Sequence, residues 1–182
     1  MAKYTFTSDL SVKGIKNLQK QLRHYRDVDL PRKCKRLVQN LLDIGIEVSK
    51  ARIDESPLGK YVTITTNISA DKTNCKGILL AKGEVKESEG YEPFYTLLAI
   101  EFGAGIRYNP TPNPNADNFG FGVGTFPNQT HANDENGWYF WDESKEEWVH
   151  SFGVKATMPM YYADLEIKNN IIKAAIEAFN EK

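Results

Sequence analysis

Apolar residues recur at three- and four-residue spacing in two N-terminal stretches, as one face of a helix requires. The first stripe consists of Ile15, Leu18, Leu22 and Tyr25. The segment "RDVDLP" follows and is predicted to end that helix. Pro31 suits the first turn of a second helix, predicted from about Pro31 to about Glu55, where "SPLG" stops it. The N-terminal part of the chain is therefore predicted to contain two helices.

The pattern then changes to alternation, which is typical of strands. "YVTITTNIS" at 61–69 alternates and is rich in β-branched residues, and "KGILLAKGEVK" predicts a second strand. The nearly continuous apolar run "FYTLLAIEF" predicts a third strand, buried on both faces. Two more strands, Trp138 to Trp141 and Trp148 to Phe152, flank a polar turn.

A last amphipathic helix is predicted in "DLEIKNNIIKAAIEAFNEK", with Asp164 offering its start. This order of elements indicates an α+β fold, with two N-terminal helices and one C-terminal helix packed on one face of a mostly antiparallel sheet. We expect a single domain over residues 1–182 with a long Gly/Pro/Asn-rich loop at about 105–137. Such loops inside compact domains tend to be functional or to become ordered with a partner.

Composition excludes several classes of protein. The 182 residues are 41% hydrophobic, which is enough for a core, and no apolar run approaches the ~18 residues of a membrane-spanning helix. The N-terminus shows no secretion signal, so synthesis in the cytoplasm is expected, and Cys34 and Cys75 are expected to be free thiols. The charge is asymmetric, since residues 1–60 carry a net +6 and residues 61–182 a net −7. Such halves suit nucleic acid on one side, or copies of the chain that meet head to tail.

The stretch "IEFGAGIRYNPTPNPN" at 100–115 contains the two most suggestive chemical features. Gly103 and Gly105 follow an apolar run, but a phosphate loop must open a helix, which the prolines after them forbid. A structural turn is the favoured interpretation. Glu101 stands between Ile100 and Phe102, where burial would raise its pKa and suit a general acid. We favour a structural role, in which Glu101 accepts bonds from loop amides or pairs with a basic residue and fixes the corner.

Other candidate chemistry is weak. His24, His131 and His150 lack metal-ligand spacing, and Cys34 has only distant histidines as partners, so neither a metal, a cofactor nor a catalytic nucleophile is predicted. The densest basic run is Arg32, Lys33, Lys35 and Arg36. It could contact phosphates, although a solvated helix turn is the simpler interpretation. A second cluster, of aromatic residues, consists of Trp138, Tyr139, Phe140, Trp141 and Trp148. It could stack on sugars or bases, or form the core of an interface.

The order of these pieces resembles a known family. The basic helix pair ending near "DIGIEVSKARID", the run into "AIEFGAG", the Gly/Asn/Pro loop, "NGWYFW" and the "GVKATMPMYYA" tether are similar to the tail-completion, or head-tail joining, family of tailed bacteriophages. Members are minor capsid or morphogenesis proteins. The resemblance spans nearly the whole chain, with Glu101 to Gly105 and Met158 to Met160 as its most specific parts. The long insertion between Gly105 and Gly137, and "SPLGK" after the second helix, depart from commoner members.

The resemblance implies a non-enzymatic virion protein that forms a ring at the head-tail junction, after assembly in the host cytoplasm. Its partners would be other neck and tail proteins and further copies of itself, with DNA only passing through the lumen, and with no membrane and no small-molecule substrate. The basic run would then face the channel or a neighbour, and the aromatic cluster and the loop would reach an adjacent subunit. Two rival hypotheses are a carbohydrate- or cell-wall-binding module that uses the strand from Trp138 to Trp141, and a small hydrolase that uses Glu101.

Overall fold

The computed structural model describes residues 5–71, 74–87, 93–105, 113–116, 118, 134–142 and 144–180. Most of the predicted 105–137 loop lies outside these residues. Contacts group the chain into two compact units, each assembled from separate segments. Unit 1 comprises Met1–Gly45, Thr66–Leu79 and Glu166–Lys182, and unit 2 comprises Ile46–Thr65 and Leu80–Leu165. The single domain over 1–182 stays a prediction.

The N-terminal helices form one continuous helical segment. Helix α1 spans Val12–His24, a π-helical turn covers Tyr25–Asp29, and α2 spans Leu30–Asp54. The predicted break at "RDVDLP" is therefore wrong. The amide of Leu30 donates to the carbonyl of Tyr25, five residues back, which widens the helix just before Pro31. Because a proline ring crowds the carbonyl four residues before it, this wider turn lets the helix continue through Pro31.

The strands pair locally, in three two-stranded sheets within the described residues. A 3₁₀ turn at Gly59–Tyr61 leads into β1, Val62–Ala70, which pairs with β2, Cys75–Gly83. Short strands β3, Val85–Lys86, and β4, Phe94–Tyr95, pair antiparallel. Helices and small antiparallel sheets together confirm the α+β class. The packing of the helices on one face of a common sheet stays a prediction.

The third predicted strand is wrong, because most of that run is a helix. Helix α3 spans Thr96–Phe102, directly after β4. Its Ala99 and Ile100 are fully buried, and Thr96 is too. A short, continuously apolar run has no period that separates a buried strand from a buried helix, so burial was predicted and the element type was not.

The C-terminal part contains a hairpin and a long helix. Strands β5, Trp138–Asp142, and β6, Glu147–Ser151, pair antiparallel as predicted. Helix α4 spans Pro159–Asn180 and so begins five residues before the predicted start at Asp164. Pro159 occupies the first helical position, where its missing N–H costs no hydrogen bond. None of the described helices is long and apolar enough to cross a membrane.

Each unit has its own close packing. In unit 1, a Cβ built on Gly77 would lie 2.5 Å from Cγ1 of Val38, so β2 and α2 approach closely there. In unit 2, Ala99 and Ala104 form a buried cluster. The partly buried residues around that cluster are Leu58, Phe94, Leu98 and Val154. The end of α3 is thereby held in the core of unit 2, and the candidate site lies at that end.

Candidate functional site

Glu101 lies in the last turn of α3, and only 8% of its surface is exposed. Phe102 beside it is also buried. A carboxylate is rarely buried without partners, because removal from water penalises the charged form. The groups that contact Glu101 therefore decide what this residue does.

Three amide groups donate to the Glu101 carboxylate. The backbone N–H of Met160 donates to Oε2 at 2.9 Å, and that of Tyr161 donates to Oε1 at 3.0 Å. The side-chain Nδ2 of Asn113 donates to Oε1 at 2.7 Å. Met160 and Tyr161 are the second and third residues of α4, whose amides have no partner within their own helix. Glu101 thus acts as an N-terminal cap for a helix that begins 58 residues later in the chain.

The backbone of α3 contributes a second set of bonds to the same helix entry. The Ile100 carbonyl accepts from the amides of Thr157 at 2.9 Å and Met158 at 3.3 Å. Met158 has φ of 52°, a left-handed conformation that is rare for a side chain of this size. The bonds around it, including the one from the Tyr162 amide to the Met158 carbonyl at 3.1 Å, hold this strained residue in place.

The glycines form a turn, as favoured from the sequence, and not the opening of a helix. Gly103 has φ of 83° and ends α3, and Gly105 has φ of 87°. Between them, Ala104 pairs with Val154 through two backbone hydrogen bonds of 2.9 and 2.8 Å. Gly153 lies against this pair with φ of 120°, and a Cβ there would be 1.8 Å from the Ala104 carbonyl oxygen. We use "Glu101 corner" for Glu101, Phe102, Gly103, Ala104 and Gly105 together with the residues that they contact.

The electrostatics of the corner are dominated by burial. Burial raises the pKa of Glu101, and the hydrogen bonds from Met160, Tyr161 and Asn113 oppose the rise by favouring the carboxylate. A raised pKa alone would suit a general acid. The three donors occupy the carboxylate oxygens, however, and all three are amides, which do not act as acids or bases near neutral pH. The arrangement positions a helix and a turn.

The structure separates the four residues of the basic run. Lys33 is buried, and its Nζ donates to the Phe179 carbonyl in the last turn of α4 at 3.0 Å. Arg32 forms an ion pair with Asp29 at 3.1 Å. Lys35 and Arg36 are exposed. The predicted contact of Lys33 with a channel or a neighbour is therefore wrong, because its ammonium lies within unit 1, where it offsets the partial negative charge of a helix C-terminus.

The β5–β6 hairpin presents a continuous aromatic face. Tyr139 pairs with His150 and Trp141 with Trp148 across the two strands, and alternation puts all four side chains on one side. Tyr139 and His150 stack at 4.5 Å, and Trp141 and Trp148 meet edge to face at 5.7 Å. All four are exposed, by 66% at Tyr139 and 65% at Trp148. We call these four residues the aromatic face.

The remaining two aromatic residues of the predicted cluster, Trp138 and Phe140, lie on the opposite side of the hairpin. The alternation of side chains along a strand accounts for this division. His150 joins the aromatic face although its role was not predicted, and only the hairpin register could have shown it. Its Nε2 lies 2.7 Å from the Asn136 carbonyl.

The two thiols are free and half-buried. Burial raises the pKa of Cys34, and the charge of Cys75 adds to the rise, so the thiols are near one another although they lie in different elements. Within the described part of the chain, no three His, Cys, Asp or Glu residues are placed to hold a metal ion. His131 lies outside the described residues.

Sequence reasoning missed the residues that complete the Glu101 corner, namely Asn113, Met160 and Tyr161. Pro159 was the available signal, because proline is favoured at the first position of a helix and would have placed the uncapped amides just after it.

Comparison of the chain with protein-family models, with curated proteins and with solved structures finds no significant match.

Proposed function

We propose that the chain is a non-enzymatic structural virion protein of a tailed bacteriophage. In this proposal it assembles as a ring at the head-tail junction, where it completes the tail or joins it to the capsid. Its partners are other neck and tail proteins and further copies of itself, and DNA passes through the lumen. The observation that carries the proposal is the amount of apolar surface that a single chain leaves exposed in two places.

The first of these surfaces is α1, which has no buried residue at all. Ile15 and Leu22 of its apolar stripe are 43% and 44% exposed. The second is the aromatic face of the hairpin. Clustered exposed apolar residues are typical of surfaces that a partner covers. The resemblance of the chain to head-tail joining proteins implies an assembly in which such partners would be present.

The Glu101 corner supports a structural role in place of a catalytic one. Its carboxylate accepts three amide donors and caps α4, so the residue that most resembles a general acid has a sufficient structural reason for its burial. Among the basic residues, Arg32, Lys35 and Arg36 remain as proposed contacts with a neighbour or with DNA, because all three are exposed.

A phage that encodes this chain provides the test. The gene is inactivated, and the wild-type chain or a variant is supplied in trans while infectious particles are counted and lysates are imaged by electron microscopy. We expect inactivation to leave filled heads and separate tails, and the wild-type chain to restore joined particles. The double variant Lys35→Glu/Arg36→Glu should restore at least tenfold fewer infectious particles than the wild-type chain does. Normal yields of joined particles without the chain would refute the proposal.

A carbohydrate- or cell-wall-binding module is the second candidate, and the aromatic face is the observation that favours it. Exposed Trp and Tyr rings can each stack on a sugar. The test is a pull-down with purified cell-wall polysaccharide. Retention that is lost on Trp141→Ala and kept on Phe140→Ala, on the other side of the hairpin, would favour this candidate over the assembly protein.

A further inference from the structure

The residues of helix α1 suit contact with another surface. Its apolar stripe of Ile15, Leu18 and Leu22 covers about 10 Å of helix length, at a rise of 1.5 Å per residue. No residue of this amphipathic segment is buried, although it continues through the π-helical turn into α2. Most helices of this kind are stabilised by packing of their apolar side.

The charge of α1 restricts the surfaces that it can meet. The helix carries Lys13, Lys16, Lys20 and Arg23 and no acidic residue. Lys16 and Arg23 each follow a stripe residue directly and so lie about 100° around the helix from it, from where their long side chains can reach back towards the edge of the stripe. A complementary surface therefore combines an apolar centre with acidic groups at its rim.

The β5–β6 hairpin has this combination. The aromatic face measures about 7 Å along the strands and about 5 Å between them, before the width of the rings is added. Glu146 is exposed in the hairpin turn, and Glu147, the first residue of β6, is exposed on the side opposite Trp148. Between residues 134 and 150 the sequence has six acidic residues and one lysine. Exposed Trp rings also attract Lys and Arg side chains directly.

We propose that α1 of one copy docks on the aromatic face of a second copy, with its apolar stripe on the rings and its cations towards the acidic turn that holds Glu146. The contact uses different surfaces on the two copies, so it is heterologous and propagates from copy to copy, closing into a ring where the rotation between copies divides a full turn. The inference rests on the self-assembly in the proposed function and names the two surfaces that produce it. It does not depend on where in the virion the assembly lies.

Cross-linking of the full-length chain tests the contact. Gln19, which lies beside the stripe, is replaced by p-benzoyl-phenylalanine, and equal amounts of ¹⁴N- and ¹⁵N-labelled chains are mixed, irradiated and digested. We expect mixed-label cross-links from residue 19 to the peptide that contains residues 138–150. The same probe at Asn17, on another side of the helix, should give far fewer. Cross-links within one chain only, cross-links to other peptides, or no cross-links up to several hundred micromolar protein would each overturn the proposal.

Charge exchange supplies a second, independent readout. We expect Lys16→Glu/Arg23→Glu and Glu146→Lys each to weaken self-association about tenfold in sedimentation experiments, and an equimolar mixture of the two variants to associate. Weakening by both variants without recovery in the mixture would overturn the docking. Self-association through α1 with no effect on particle yield would refute the virion role and leave this contact standing. Saturation of the aromatic face by polysaccharide with no self-association would overturn the contact in favour of a sugar ligand.

Discussion

The carboxylate of Glu101 and the backbone amide of Tyr161 are hydrogen-bonded at 3.0 Å across 60 positions of sequence. With the bond from Met160, this contact joins the end of α3 to the beginning of α4 within unit 2. Most N-terminal caps come from the residue just before the helix. Here that residue is Met158, whose side chain cannot accept such a bond, and a distant carboxylate replaces it. The start of α4 therefore depends on the tertiary structure around α3.

Removal of this cap should destabilise the fold. We expect Glu101→Ala to lower the free energy of unfolding by roughly 2–4 kcal/mol, because it leaves two helix amides and the Asn113 side chain without an acceptor. Glu101→Gln should cost roughly 1–3 kcal/mol, since its NH₂ group would point at one of three donors. Urea denaturation followed by circular dichroism measures both changes. The control Glu147→Ala, at an exposed position, should stay within about 0.5 kcal/mol of the wild type. Equal stability of Glu101→Ala and the wild type would mean that the corner is not fixed by this residue.

The same carboxylate should make stability depend on pH. Burial raises the pKa of Glu101 in the folded chain above its ordinary value of 4.5. As pH rises from about 4.5 to the folded pKa, the unfolded chain releases this proton more readily than the folded chain, so the contribution of Glu101 to stability is fully present below the window and falls across it. The free energy of unfolding of Glu101→Gln, which cannot ionise, should lack this fall. We expect the difference between wild type and Glu101→Gln to be largest at the acidic end. A difference that is constant from pH 4 to pH 8 would contradict the raised pKa.

The sequence predicted the helices and strands wherever a clear period ran for several turns or strand residues. The stripe of α1, the alternation of β1 and the hairpin of Trp138 and Trp148 all lie where the pattern put them. Helix α3 was mistaken for a strand because nearly all of its residues are apolar and it is only seven residues long. A short run that is apolar at nearly every position has no periodicity on which the distinction could rest.

The contacts of the candidate site could be predicted less well, because they join residues that are far apart in sequence. The burial of Glu101 was expected from its apolar neighbours, and a structural role was favoured because no second acid or histidine lies at readable spacing. Its partners were not, since nothing near Glu101 points to the amides of α4. The contact of Lys33 was likewise not predictable from its neighbours in sequence. Its place in a dense basic run indicated a solvated position, but the helical phase turns it towards Phe179.

The close backbone approach at Gly153 should not tolerate a side chain. A Cβ at this position would lie 1.8 Å from the Ala104 carbonyl oxygen, and the φ of 120° is itself strained for any other residue. We expect Gly153→Ala to break the pairing of Ala104 with Val154 and to cost roughly 2 kcal/mol or more. Thermal denaturation and amide exchange at Ala104 measure the two effects. The neighbouring exposed control Lys155→Ala should change neither. Unchanged exchange at Ala104 in Gly153→Ala would show that the backbone adapts by another route.

Lys33 and Lys35 provide a matched pair that separates a structural lysine from a surface lysine. Lys33 is buried and donates to the carbonyl of Phe179, whereas Lys35 is exposed. We expect Lys33→Ala to lower the free energy of unfolding by roughly 1–3 kcal/mol, because the end of α4 loses a charged donor and the buried stem leaves a void. Lys35→Ala should stay within about 0.5 kcal/mol of the wild type. Urea denaturation of the two variants at one pH and salt concentration makes the comparison. Because the Lys33 bond is shielded from solvent, its loss should cost nearly the same at 0.05 and 0.5 M salt. Equal stabilities of the two variants would mean that the buried ammonium contributes nothing to the end of α4.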